Sequence, residues 1–187
     1  KKFSNSFLNL VKYFSTSCFV PISVGGGINS LDDADNYFKY GADKIIIGSN
    51  IINNLSVVEK ISSKYGNQSI IQSVDCKKLN SNNYSVFGKS GKIDLEQNPI
   101  EFSLKALNYG IGEILVNNID CDGSLLGYDL NLLKSVSENI SCPILALGGA
   151  GNWQHILDLF LKTDVSAACT QNIFHFTEES ILSAKNF

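Results

Sequence analysis

The sequence predicts an α/β fold, an N-terminally incomplete (βα)8 barrel, and three observations carry that expectation. Apolar runs rich in β-branched residues recur without polar alternation: SIIQSVD at residues 69–75, GEILVNNID at 112–120 and CPILALGG at 142–149. Such continuity is the mark of strands covered on both faces. Helix-period stretches lie between them, among them PIEFSLKALNYG at 99–110, with proline in the first turn and glycine at the end, and YDLNLLKSVSEN at 128–139. Third, PISVGGGINSLDDADNYFKYGADKIIIGS (21–49) is mirrored by PILALGGAGNWQHILDLFLKTDVSAACTQN (143–172), each holding strand, Gly-Gly turn, helix and strand in one order. Alternation alone fits an open doubly wound sheet equally well; the repeat favours the barrel.

Taken in order, strands are expected near 22–24, 44–47, 69–74, 113–117, 144–147 and 166–170, with helices between them and at both ends. That makes about six βα units, against the eight that close a barrel of ~250 residues. At 187 residues the chain suits one domain. The expectation is therefore a single phosphate-binding barrel domain over 1–187 that lacks its first two strands. The absence of methionine points the same way, since an initiator methionine is not normally removed ahead of lysine. The helix after the first strand can be capped by Asn29 or Ser30, with Asp32 and Asp33 in its first turn. The one long excursion, residues 77–92, carries YSVF beside Gly and Asn turns and reads as a β-hairpin over the barrel mouth.

A formal charge of −3 with no basic run gives no footprint for nucleic acid or an anionic membrane. No apolar stretch approaches the ~20 residues of a membrane span, and the start carries no signal-peptide core, so a cytoplasmic protein is expected. The five cysteines, Cys18, Cys76, Cys121, Cys142 and Cys169, are odd in number and set in apolar runs; they read as reduced, buried small hydrophobes. His155 and His175 have no Cys or carboxylate at ligand spacing, so neither a metal nor another cofactor is expected. Trp153 reads as packing.

The chemistry sits at strand ends. In V-G-G-G-I, residues 24–28, Gly26 and Gly27 let backbone N–H groups approach an anion, and Gly48 with Ser49 ends the next strand. The repeat supplies a second cluster of Gly148, Gly149, Ala150 and Gly151, followed by Gln171 and Asn172. Two such clusters imply a substrate with a phosphate at each end. Between them in sequence come acids: Asp75, and Asp120 and Asp122 of I-D-C-D-G-S. A carboxylate at the C-terminal end of a barrel strand can act as general acid or base, whereas an ion pair with Lys77 or Lys78, or a turn cap by Asp120, is the plain structural alternative.

With V-G-G-G-I, G-A-D-K-I, V-D-C-K-K, G-E-I-L, I-D-C-D-G-S-L-L-G-Y-D-L, L-G-G-A-G and I-F-H-F in order, the whole chain resembles the cyclase subunit family of imidazole glycerol phosphate synthase. The resemblance implies an enzyme of histidine biosynthesis that takes ammonia from a glutaminase partner. It would add that ammonia to a bis-phosphorylated ribulosyl imidazole-carboxamide nucleotide, close the imidazole ring and release aminoimidazole carboxamide ribotide. By the same resemblance Asp75 matches one of two catalytic aspartates, Gly27 and Ser49 one phosphate site, and Gly123, Gly149 and Asn172 the other, with Asp122 lining the mouth. Lys44 and Glu113 match a charged ammonia gate at the barrel floor, and Asp43 beside them a glutaminase contact. The chain departs from the family's usual Asn-Thr at Gly48 and Ser49, from arginine at Cys121 and from serine at Leu147. A sister branch that amidates sugars of bacterial surface polysaccharides, and a truncated barrel that only binds a glutaminase, remain alternative readings. On the main reading too, the second catalytic aspartate belongs at the end of the first strand, which these residues do not contain, so the 187-residue chain is expected to be catalytically incomplete on its own.

Overall fold

The computed structural model describes residues 5–48, 54–80, 83–171, 173–176 and 181–187. The chain divides into two compact units, residues 1–73 with 105–113, and residues 74–104 with 114–187.

In the first unit, α1 (Asn5–Ser17) leads to β1 (Ser23–Gly25), α2 (Leu31–Lys39), β2 (Lys44–Ile47) and α3 (Leu55–Tyr65), and a single 3-10 turn at Asn67–Ser69 starts β3 (Ile70–Lys78). The strands are parallel and in sequence order, with Val24 opposite Ile45 and Ile46 opposite Ile71. Helix α2 starts where the sequence requires: Ser30 is its N-cap and its side chain accepts the Asp33 N–H. Asp32 and Asp33 in the first turn then meet the positive end of the helix dipole. The core is Tyr37, Ile45, Ile47, Val58, Ile61, Ile70 and Ile71, each at most 2% exposed. Burying one such aliphatic side chain contributes roughly 1.5–3 kcal/mol.

In the second unit the end of β3 continues as a hairpin. β4 (Tyr84–Gly88) runs antiparallel to it, with Val86 opposite Cys76, and pairs in turn with the short β5 (Ile93–Asp94). Helix α4 (Pro99–Leu107) follows, then β6 (Glu113–Asn118), α5 (Leu130–Asn139), β7 (Ile144–Leu147), α6 (Trp153–Lys162), β8 (Ala167–Ala168), α7 (Ile173–Phe176) and α8 (Ile181–Asn186). β6, β7 and β8 are parallel, with Val116 opposite Ala146 and Ala146 opposite Ala168. The β3 to β6 step skips the hairpin, and the Ile119 N–H reaches the Cys76 carbonyl across it.

Every expected strand is present: those at 44–47 and 144–147 have the expected bounds, and the other four have shifted ends. Residues 166–170 shrink to Ala167–Ala168, because Cys169 and Thr170 already belong to a loop that lines a cavity. Residues 128–139 begin their helix at Leu130, because Asp129 caps it by accepting the Leu132 N–H. Near-continuous burial holds in β3 and β6, whereas β7 alternates, its Leu147 forming part of the cavity wall. The cysteine reading needs correction. All five thiols are free, but only Cys76 is buried; Cys18 is exposed in the coil after α1, and the others are half-buried. Among the described residues no helix is long and apolar enough to cross a membrane.

Candidate active site

Asp75 lies near the C-terminal end of β3, where its strand neighbours Val74 and Cys76 are fully buried. Successive residues of a strand face opposite sides, so the acid projects away from those two. Its Oδ1 accepts a hydrogen bond from Asn117 Nδ2 at 3.3 Å, across from β3 on β6. Burial pushes the Asp75 carboxyl above the ordinary carboxylate range; the Asn117 amide opposes that shift and the negative charge of Asp122 adds to it. A desolvated carboxyl poised upward is how enzymes hold a carboxyl group ready to exchange protons.

Asn117 and Asn118 end β6 side by side and point to opposite faces. Asn118 Nδ2 binds Asp129 Oδ2 at 2.7 Å, and Tyr84 of the hairpin donates its hydroxyl to Asp129 Oδ1 at 3.0 Å. Burial and the neighbouring Asp129 carboxylate raise the Tyr84 phenol, which therefore stays a donor. Asn118 Oδ1 also accepts the Asp120 N–H, so Asp120 is an exposed member of a side-chain-capped turn. Asp122 and Gly123 follow in that turn, both exposed.

The second glycine cluster forms a cavity of about 140 Å³ lined by Asp122, Gly123, Leu147, Gly148, Gly149 and Ala150, with Cys169, Thr170 and Gln171 opposite. Gly149 has φ +108°, and its carbonyl accepts the Gly127 N–H at 2.8 Å. A Cβ at Gly149 would overlap the Gly127 carbonyl, 2.7 Å from its carbon. Among the described residues no protein acceptor takes the N–H of Gly148, Gly149 or Ala150, whereas the Gly151 N–H is bound by His155 Nδ1 at 3.2 Å. Free backbone donors at a strand-to-helix turn are a ready anion cradle. The Thr170 hydroxyl is buried at the same cavity and has no partner among the described residues.

In the first unit, the turn of Gly26 and Gly27 is held from behind: Tyr37 donates its hydroxyl to the Gly26 carbonyl at 2.8 Å and Asn29 Nδ2 binds the Gly27 carbonyl at 2.9 Å. Gly48 follows β2, and among the described residues a Cβ added there would meet nothing within 4 Å. Ser49 and Asn172, one expected ligand at each cluster, lie outside the described residues. At the opposite strand ends, Lys44 Nζ forms a half-buried ion pair with Glu113 Oε1. Asp43 is exposed, and its Oδ2 accepts the Ile22 N–H at 2.8 Å, tying the start of β1. Among the described residues no group of three or more His, Cys, Asp and Glu converges as metal ligands.

The expected residues thus divide. Asp75 and Asp122 interact, Asp122 and Gly123 share a cavity with Gly149, and Lys44 meets Glu113. Sequence reasoning missed Asn117 as a partner of Asp75 and Thr170 as a cavity residue. The available signal for Asn117 was an Asn-Asn pair closing an otherwise apolar strand.

Parallel strands whose C-terminal ends carry acids and glycine turns, each followed by a helix, belong to the barrel class of α/β enzymes. The chain belongs to the family described as "Histidine biosynthesis protein", which matches residues 2–180. It is 36% identical over 180 residues to the imidazole glycerol phosphate synthase subunit HisF of Bacillus cereus, covering 96% of this chain and 71% of that protein. To the subunit HisF of Chlorobium phaeovibrioides it is 40% identical over 173 residues, covering 92% of this chain and 68% of the relative.

Proposed function

We propose that this chain is a cyclase of the imidazole glycerol phosphate synthase type, which uses ammonia from a glutaminase partner to close an imidazole ring on a bis-phosphorylated substrate in histidine biosynthesis. The observation that carries the reading is the half-buried Asp75, hydrogen-bonded by Asn117, whose proton affinity burial and Asp122 raise and the Asn117 amide lowers. Such a group can take a proton from the adding ammonia and return one to the departing nitrogen. Supporting it, the N–H groups of Gly148, Gly149 and Ala150 and the hydroxyl of Thr170 offer donors to one substrate phosphate. A second phosphate falls to Gly26, Gly27, Gly48 and Ser49. Asp122, a carboxylate at the cavity rim, would repel a phosphate and so suits a substrate hydroxyl. Lys44, Glu113 and Asp43, at the opposite strand ends, suit ammonia entry and a glutaminase contact. Both relatives bear the histidine-pathway name, which favours that acceptor over a surface-glycan sugar. We read residues 1–187 as one barrel domain carrying all of these groups.

The test is ammonia-dependent turnover of the purified chain on the ribulosyl imidazole-carboxamide nucleotide, followed by release of aminoimidazole carboxamide ribotide. Product formation that needs ammonium ion supports the reading. Tight substrate binding without product would refute the catalytic part and leave a glutaminase-binding barrel.

A further inference from the structure

We propose that Asn117 is the positioning residue of this site: its amide, clamped between the Asp75 carboxyl and the Gly148 turn, aims Asp75 at the substrate and holds it as a base. The inference rests on the reading of Asp75 as the acid/base group and adds to it the residue that sets its state.

Asn117 is only 9% exposed, and its side chain bridges two features that carry the proposed chemistry. On one side Nδ2 donates to Asp75 Oδ1. On the other, Oδ1 abuts Gly148, whose φ is +93° and whose added Cβ would come 2.8 Å from that oxygen and 2.9 Å from the Asn118 carbonyl. No larger residue fits at Gly148 without moving the amide. The glycine turn offered above as an anion cradle therefore also closes one side of the Asn117 amide.

The unpaired end of the amide argues that this is more than packing. Asn117 Oδ1 is buried with no partner among the described residues, a costly state that a leucine of similar shape would avoid. An asparagine here is explained if its donor end is needed. An ionised Asp75 cannot face a carbonyl oxygen, so the nitrogen must point at it, and the oxygen is left over. The charged and titratable groups on the packed elements are Asp122 after β6, the Tyr84 and Asp129 pair joining β4 to α5, and Cys76, Lys77 and Lys78 on β3 itself. Of these, Asp122 acts appreciably on the Asp75 carboxyl, and it raises it, as burial does. Among the described residues the Asn117 amide is the group that opposes them.

The experiment compares Asn117→Leu, which keeps shape and loses the donor, with Asn117→Ser, which keeps a donor, in the full chain supplied with ammonium salts. Two readouts are taken: the acid limb of the kcat pH profile, and the 13C titration of the Asp75 carboxyl. Asn117→Leu is expected to move both midpoints up by roughly one pH unit, with KM changed less than about twofold, and Asn117→Ser to recover most of the shift. Unmoved midpoints in Asn117→Leu would overturn the inference. Should that variant not fold, Asn117→Ala removes the donor without bulk and carries the same two outcomes. Asp75→Asn separates the two claims. If it keeps full turnover, the acid/base reading fails; if it abolishes turnover while Asn117→Leu shifts nothing, the positioning role alone fails.

Discussion

Replacing Gly149 with alanine tests whether the second glycine turn is built by backbone conformation and close approach together. The residue sits at φ +108°, where an L side chain is strained by about 1–2 kcal/mol. Its Cβ would also strike the Gly127 carbonyl, with the carbonyl carbon at 2.7 Å and Tyr128 N at 3.2 Å. Both are backbone atoms, which cannot rotate aside, so overpacking adds about 1–3 kcal/mol. Together Gly149→Ala should cost about 2–5 kcal/mol, a large share of an ordinary domain's stability of roughly 5–15 kcal/mol. Gly26 supplies the internal control: its φ is +112°, yet among the described residues an added Cβ would meet nothing within 4 Å. Gly26→Ala should therefore show the conformational cost alone, about 1–2 kcal/mol. Urea unfolding reads both, since a slope of about 1–3 kcal/mol per molar converts the costs into midpoint shifts. Equal losses in the two variants, within about 0.5 kcal/mol, would refute the steric half of the reasoning.

Three further outcomes follow from the side chains. Asp75 binds its proton more tightly folded than unfolded, so its contribution stabilises the fold below about pH 4 and is lost as pH rises through the raised folded value. Asp75→Asn should then unfold at higher urea than the parent at pH 7, with the gap closing below about pH 4; a less stable variant at neutral pH would contradict the burial argument. Tyr84→Phe removes the hydroxyl that ties the hairpin to Asp129 and should cost about 1.5–3 kcal/mol, with faster amide exchange in residues 84–88, read by hydrogen exchange mass spectrometry. Lys44→Met leaves Glu113 half-buried and unpaired and should cost about 1–3 kcal/mol, more than the double change with Glu113→Leu; a thermal unfolding cycle with no coupling would show the pair to be ornamental.

The parts of the fold written in local patterns were legible in the sequence. β3 and β6 announce themselves because strands covered on both faces need unbroken apolar runs, and α2 because Ser30 and two aspartates can only serve a helix start. The repeat placed the glycine turns and the strands before them. What was illegible depends on partners far apart in sequence. Asn117 meets Asp75 because β6 pairs beside β3 across the hairpin, a step that strand patterns do not specify. The cap that Asp129 gives to Leu132 is local, but its ties to Tyr84 and Asn118, far apart in sequence, were not legible. The exposure of Cys18 was missed for a related reason: an apolar neighbourhood in sequence, Phe19 and Val20, is itself exposed in the structure.

The central claim is that Asp75 does acid/base chemistry while glycine turns hold the substrate, so binding and turnover must separate. The decisive measurement is Asp75→Asn assayed twice, for substrate affinity by calorimetry and for ammonia-dependent kcat at saturation. Affinity should stay within about threefold of the parent while kcat falls on the order of 10²- to 10⁴-fold. A variant that turns over within about threefold of the parent, or one that loses substrate binding in step with rate, would contradict it.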